Sequence, residues 1–409
     1  MYAIMYCVQR TQLCIEGDIM KVLISGASIA GPALARWLGR NGFDVTVVEK
    51  ATAPRPGGQA VDFKGRTHRR VLERMGVLED VLAHQTAKTD WRFVDENDRV
   101  KATVPGEFIG GDLEILRGDL AGILHEHSRA DAEYVFDDEI VDLAESDSGV
   151  DVAFARRKGE RFDLVIGADG VHSVVRRLAF GAEELFVQAR DRYYAVAGGE
   201  MPLDGLEREL PGGRAIAYGY NEPGRLALLG GQKAPSLFVF HAAAPDYDRR
   251  DVASQRAFLE SAFAGAGWRV PEAIAAGRDA DDFYLDALAR TTMTSFTHGR
   301  VALVGDAGFA NTLGGFGTGL ALIGAYVLAG ELIAARGDWA AALAAYDRRM
   351  RKPTRIARSG DAGSFLAPPS RWRIRARDWS FANPVMYRSM LWLTNAFATD
   401  DSVPDYRMD

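Results

Sequence analysis

Three clusters in this chain have the residue types and spacing to hold a phosphorylated ligand. The first is the turn Gly26-Ala27-Ser28-Ile29-Ala30-Gly31. A nucleotide turn needs one small residue for the bend, another for close approach of a pyrophosphate and a third for helix–strand packing. Ser28 holds the middle position here. Such a turn alone would serve a purely structural role as readily, but its surroundings favour a nucleotide. The apolar run Val22-Leu23-Ile24 precedes it, and Ala33, Leu34, Trp37 and Leu38 follow at helical spacing. The next apolar run, Val45–Val48, ends in Glu49-Lys50. An acid at that strand end meets a ribose hydroxyl, and the helix N-terminus offers partial positive charge to phosphate.

The second cluster, DLVIGADGVHSVVR, contains Asp169-Gly170, Ser173 and Arg176. The third begins at Gly299 and reads GRVALVGDA, with Gly305-Asp306 at the end of its apolar run. Gly314-Gly315-Phe316-Gly317-Thr318-Gly319 follows it.

These clusters require a scaffold of strands and helices. Val22–Ile24, the helix up to Gly42 and Val45–Val48 form a βαβ unit, and the continuous apolar runs fit buried parallel strands. The pattern predicts helices at Thr67–Met75, Arg117–Ser128, Val252–Phe263 and Gly319–Ala335, and a hairpin over Asp90–Lys101. From about residue 185 to 280, short β-type runs alternate with Gly/Pro turns. The expected fold class is α/β: a Rossmann-type nucleotide domain, an inserted α+β domain of mainly antiparallel sheet, and a C-terminal helical segment.

The chain has 409 residues and a net charge of −7, so nucleic-acid binding as its main task is not expected. A basic run, Arg371-Trp372-Arg373-Ile374-Arg375-Ala376-Arg377, is most simply a solvated or bracing helix face, with a membrane or partner site as the alternative. The two cysteines, Cys7 and Cys14, both precede Met20. Disulfides and cysteine metal sites therefore have no part in the main fold, no metal is expected, and a cytoplasmic location fits. Residues 1–19 lack the basic and apolar regions of a secretory signal and read as a poorly ordered extension. No stretch approaches the uninterrupted apolar length of a transmembrane helix.

With three motifs in this order, the chain resembles the single-component flavin monooxygenases built like p-hydroxybenzoate hydroxylase, from Met20 to about Ala335. The resemblance implies FAD as cofactor, NADPH or NADH as a transient co-substrate, and O2. One oxygen atom would pass through a flavin C4a-hydroperoxide to an aromatic or polycyclic small molecule, with no catalytic side chain required. It also implies domain boundaries: an FAD-binding domain at 20–89, 111–184 and 281–340, a substrate domain at 90–110 and 185–280, and C-terminal helices over 341–409. A monomer or homodimer is expected.

The same resemblance assigns residues. Gly26–Gly31, Glu49 and Lys50 become the AMP end of the site, and Asp169 and Gly170 belong to a motif associated with FAD and NADPH. Gly305 and Asp306 meet the ribityl chain, while Gly317 and Thr318 face the flavin pyrimidine. Gly58, Gln59 and Asp62 look like the loop beside the isoalloxazine, Arg117 like the arginine on the flavin side, and Arg55 like an NADPH contact. That loop, together with Asp282-Phe283-Tyr284 and Gly324–Glu331, is most similar to the branch holding tetracycline-inactivating monooxygenases and hydroxylases of aromatic natural products.

One departure stands out: the loop from Gly308 to Gly317 has no proline, and Phe316 replaces the usual glutamine. Phe316 would pack on the flavin or plug the pocket. Tyr218 with Tyr220, and Phe238 with Phe240, share strand faces; core packing is the default for them and a flat pocket wall the alternative. His172 and His241 read as structural. A halogenase would need a Trp-x-Trp-x-Ile-Pro signature, which is absent. An FAD-dependent reductase or dehydrogenase, or a non-catalytic flavin- and ligand-binding protein, remain the alternatives.

Overall fold

The computed structural model describes residues 19–54, 58–199, 201–231, 234–243, 247–249, 251–280, 282–314, 317–358, 362–397 and 403–408. Arg55, Phe316 and the extension up to residue 18 lie outside the described residues.

The strand β1 (Lys21–Ser25) lies inside a six-stranded sheet. The order is β18 (Thr297–His298), β19 (Val301–Leu303), β11 (Leu164–Gly167), β1, β2 (Asp44–Glu49) and β7 (Glu133–Phe136). Every pairing is parallel except that of β18. The three predicted clusters follow β1, β11 and β19, three neighbouring strands, so their loops emerge together at one sheet edge.

Helix α1 (Ala30–Arg40) packs against α5 (Arg117–Ser128) and α10 (Gly317–Ala334), and α11 (Trp339–Ala357) covers α10. α10 is long and apolar enough to cross a membrane by length and composition, but 67% of it is buried inside the protein. It also contacts α2 (Arg66–Met75), which leads into α3 (Leu78–Ala83). A small sheet of β8 (Ile140–Ser146), β9 (Gly149–Phe154) and β10 (Glu160–Phe162) sits beside this unit. The ribbon β3 (Ala60–Phe63) with β6 (Leu113–Leu116) sits over α10. Two short helices matter below: α6 (Val174–Phe180) and α9 (Asp306–Phe309).

The second large sheet runs β17 (Tyr284–Thr291), β12 (Val187–Ala197), β16 (Ser236–His241), β15 (Arg225–Leu229), β14 (Arg214–Glu222), β4 (Thr89–Val94) and β5 (Val100–Val104). β13 (Glu209–Leu210) adds to β14, and only β14 with β4 is parallel. β17 was expected in the nucleotide unit. Instead, the eleven-residue β12 offers it a long open edge, and the two pair antiparallel from Val187–Thr291 to Val196–Tyr284.

This sheet separates two cores. One face buries Tyr193, Tyr218, Tyr220, Phe238 and Phe240 under α7 (Val252–Ala262) and α8 (Val270–Ala276). The other buries Tyr194, Val196, Trp91, Phe93 and Leu288 under α12 (Ala362–Leu366) and α13 (Arg371–Ala382), with α4 (Gly106–Ile109) and α14 (Pro384–Phe397) packed at its margin. Tyr218, Tyr220, Phe238 and Phe240 are therefore core, as the default reading had them, on the face opposite Tyr194, and their alternative placement as a pocket wall is corrected. The Tyr218 hydroxyl is used internally, donating to the Glu207 carbonyl at 2.8 Å.

The C-terminal region is not helical throughout. Residues 403–408 run extended along α10. The Tyr326 hydroxyl donates to the Pro404 carbonyl at 3.0 Å, Arg74 pairs with Asp405, and the Tyr406 hydroxyl bonds Glu331. Gly330 makes room for this strap, because a Cβ there would lie 2.2 Å from the Tyr406 ring.

The core assignment is testable. Phe240 is fully buried, so Phe240→Ala should lose roughly 3–5 kcal/mol in urea unfolding while ligand preference stays unchanged. Altered ligand preference at undiminished stability would return Phe240 to a pocket wall.

Candidate active site

The turn between β1 and α1 is shaped by close backbone approach. Gly26 has φ +110°, and a Cβ there would stand 2.4 Å from the Ala168 carbonyl oxygen. A Cβ on Gly31 would stand 1.9 Å from the carbonyl oxygen of Gly26. Only glycine fits at both ends. α1 then begins with no capping side chain and no acid in its first turn. Its unpaired N–H groups are open to an anion. Glu49 borders this turn: its Oε2 accepts the Ala27 N–H and its Oε1 the Ala51 N–H, both at 2.9 Å. Each oxygen keeps a second lone pair for a ligand hydroxyl. Lys50 is exposed.

The Asp169 segment lies directly behind the turn. Asp169 Oδ2 accepts the backbone N–H groups of Val174 and Val175 at 2.8 and 3.2 Å, fixing the start of α6. Its Oδ1 is buried with no partner among the described residues. Burial pushes this carboxyl up, and its bonds to Ser173 and the α6 backbone oppose that. Gly170 takes φ +83°. Arg176, fully buried, donates to the Val171 carbonyl at 2.5 Å and to the Ala307 carbonyl at 2.8 Å. The second and third clusters are thereby tied together.

Asp306 opens α9 behind Gly305, which turns at φ +65° close against Ala30. Burial pushes the Asp306 carboxyl up, and the Arg117 guanidinium pulls it back. A Cβ on Gly317 would sit 3.5 Å from Asp306 Oδ1, so the N-terminus of α10, with Thr318, abuts the same carboxylate. Arg117 Nη2 donates to Ser28 Oγ at 3.3 Å, its backbone N–H donates to the Gln59 carbonyl at 3.1 Å, and a Cβ on Gly58 would lie 3.8 Å from the Arg117 Cβ. Thus Ser28, Glu49, Gly58, Gln59, Arg117, Asp169, Asp306 and Gly317 all border one cradle. Asp62 is placed differently: its Oδ1 accepts the Gly111 N–H at 3.1 Å on the β3–β6 ribbon.

The cradle fits an FAD-sized dinucleotide. The uncapped helix suits a diphosphate, Glu49 a ribose, and the Asp306 carboxylate, which accepts no hydrogen bond among the described residues, a polyol chain.

Sequence reasoning missed the seam between the cradle and the large sheet. The buried Tyr194 hydroxyl is pushed up by burial, and it lies within electrostatic reach of both Arg117 and Asp306. Its ring lies 5.7 Å from that of Tyr284, whose hydroxyl donates to Asp286 Oδ2 at 2.8 Å. His172 closes the chain. Its Nε2 faces Asp286 Oδ1 at 3.4 Å and its Nδ1 faces Glu183 at 2.9 Å, with Arg249 alongside. His172 is therefore a clasp between the Asp169 loop and β17. The paired aromatics Tyr193-Tyr194 were the available signal, since one of the two must face each side of a strand.

The comparisons with known proteins agree with this geometry. The sequence profile of the FAD binding domain family matches residues 19–356. The chain belongs to this family. An uncharacterized protein of Mycobacterium tuberculosis is 40% identical over 334 residues, which cover 80% of this chain and 88% of that one. A flavin-dependent monooxygenase from an unknown prokaryotic organism is 38% identical over 339 residues, covering 81% and 86%. The crystal structure of the tetracycline destructase Tet(51) aligns with a TM-score of 0.78 at 30% identity, covering 95% of this chain and 99% of that one. The chain is thus a flavin-dependent monooxygenase with an FAD-binding domain.

Two outcomes test the geometry. Gly31→Val should abolish flavin retention through the collision with the Gly26 carbonyl, read as loss of yellow colour on gel filtration. The second concerns pH. Burial alone would lower the His172 pKa, but its bond to Asp286 prevails and raises it, while that bond holds Asp286 below its usual range. A raised histidine stabilises fully below its ordinary value and loses the effect as pH climbs past the raised one; the lowered Asp286 acts from about pH 4 upward. Wild type should therefore exceed His172→Gln by roughly 2–4 °C in Tm between about pH 4 and 6.5. The gap should shrink at alkaline pH, and a pH-independent gap would dissolve the clasp.

Proposed function

We propose that this monooxygenase takes reducing equivalents from NADPH or NADH and inserts one atom of O2 into a planar aromatic or polycyclic small molecule. The observation carrying the reading is the half-buried Asp306 carboxylate, set between Arg117 and the N-terminus of α10 with no hydrogen-bond partner among the described residues. Beside a cation and a helix N-terminus, its acceptor sites are free for the donors of a ligand.

In this reading Asp306 accepts ribityl hydroxyls, Glu49 accepts ribose hydroxyls and the uncapped start of α1 faces the diphosphate. Bound FAD supplies the redox and oxygen chemistry. The chain orients and shields it. Arg117 sets positive charge beside the ring-side loop of Gly58 and Gln59, and the N-terminal dipole of α10 adds to it. The substrate would lie at the seam between the cradle and the large sheet, beside the partly buried Leu313, with Tyr194, Val196 and Leu288 packed behind it on that face. The covering helices α12 and α13 would keep water from that face. The tetracycline destructase likeness supports a fused-ring substrate, with hydroxylation as antibiotic modification or natural-product tailoring.

The test is consumption of NADPH and NADH with and without fused-ring phenols, tetracycline among them. Ligand-stimulated oxidation with label from isotopic O2 in the product is expected. Oxidation that no ligand stimulates, with no label in any product, overturns the reading. Asp306→Ala should weaken FAD binding about tenfold or more, as loss of a charged acceptor predicts. Flavin fluorescence titration measures this directly.

A further inference from the structure

Helix α13 has two unlike sides. Inward, Arg377 and Phe381 are buried; the Arg377 guanidinium lies 3.7 Å from the Phe93 ring centre and pairs with Asp378 at 2.7 Å. This side braces the helix against the large sheet. Outward, Arg371, Trp372, Arg373, Arg375 and Trp379 are exposed. Trp372 is 66% and Trp379 59% exposed, and a spacing of seven puts them on one line. α14 follows directly, and its first turn exposes Val385 and Met386, at 73% and 41%, with Arg388 beyond them.

Charge and chemistry on this face point the same way. Arg371, Arg373, Arg375 and Arg388 make no ion pair with any described residue, and Asp378, the one acid between 371 and 390, is taken by Arg377. The chain as a whole carries −7, so this is a cationic patch on an anionic molecule. Such a patch selects an anionic partner and repels a second copy laid face to face. Tryptophan combines a large apolar body with one N–H donor, which suits the boundary between lipid headgroups and acyl chains. Val385 and Met386 would find no use against phosphates alone, but they fit the acyl side of that boundary.

We propose that the outward face of α13 and the first turn of α14 docks on an anionic phospholipid bilayer. The guanidiniums meet lipid phosphates, and the two tryptophans enter the headgroup layer. The buried side of the same helix packs on the β4–β5 end of the large sheet, so docking leaves the cradle uncovered. The docking itself is independent of which substrate is used.

Each guanidinium near an anionic surface is worth roughly fivefold in binding. The experiment is flotation of the FAD-loaded protein with vesicles of phosphatidylcholine alone or mixed with phosphatidylglycerol. Binding is expected only to the mixed vesicles, falling as salt rises. It should weaken by about tenfold or more in Trp372→Ser/Trp379→Ser and in Arg371→Gln/Arg373→Gln/Arg375→Gln. Both variants change exposed side chains, so retained flavin absorbance and an unchanged melting curve will certify their folds. No binding to mixed vesicles, or equal binding by the variants, overturns the proposal. So does self-association by light scattering that the tryptophan variant abolishes while vesicles bind nothing, since the face would then join two copies.

Discussion

One buried cation holds the cofactor cradle in shape. Arg176 has no solvent exposure, and it spans from the Val171 carbonyl to the Ala307 carbonyl. Those carbonyls flank Asp169-Gly170 on one side and Asp306 on the other. A guanidinium can do this because its donors radiate in a fixed plane, which a lysine could not copy. Burial lowers its pKa, and nearby Glu183 at 3.6 Å and Asp169 offset that cost. Without this tie the loops after β11 and β19 would share a sheet edge but not a defined separation.

The large sheet depends on a different constraint, the alternation of its strands. Tyr193 and Tyr194 are neighbours in sequence and belong to different cores. The same holds for Phe93 and Val94 on β4. A slip of one residue in β12 would send Tyr194 away from Arg117 and Asp306 and bring Tyr193 in its place. The bulge between Ala189 and Tyr193 in the β12–β17 pairing lies just upstream, where it sets that register.

The cradle was legible in sequence because its parts are local. Gly26, Gly31 and Gly305 answer to backbone crowding within a single turn, and Asp169 caps the helix that follows it. Their order along the chain then matched their order across the sheet. The aromatic pairs were half legible. Period-two spacing put Phe238 with Phe240, and Tyr218 with Tyr220, but it carries no mark of which layer covers that face. The clasp from His172 to Asp286 was not legible, because it joins residues 114 apart through a sheet pairing that no local pattern announces. The extended strap at 403–408 was missed for a like reason: its conformation is set by Gly330 and Tyr326 on α10, not by its own composition.

The path of the chain through the cradle bears on how the protein is made. Residues from Gly26 to Gly317 border it, and β19, a neighbour of β11, is not synthesised until residue 303. The large sheet likewise waits for β17, which ends at Thr291. Strands β1, β2, β7 and β11 can pair once residue 167 is made, but from β1 the sheet waits for β19 and for the covering helix α10 until beyond residue 300. Synthesis at about 5–20 residues per second leaves that interval at tens of seconds. The nucleotide sheet is thus completed, and its helix face covered, only late in synthesis.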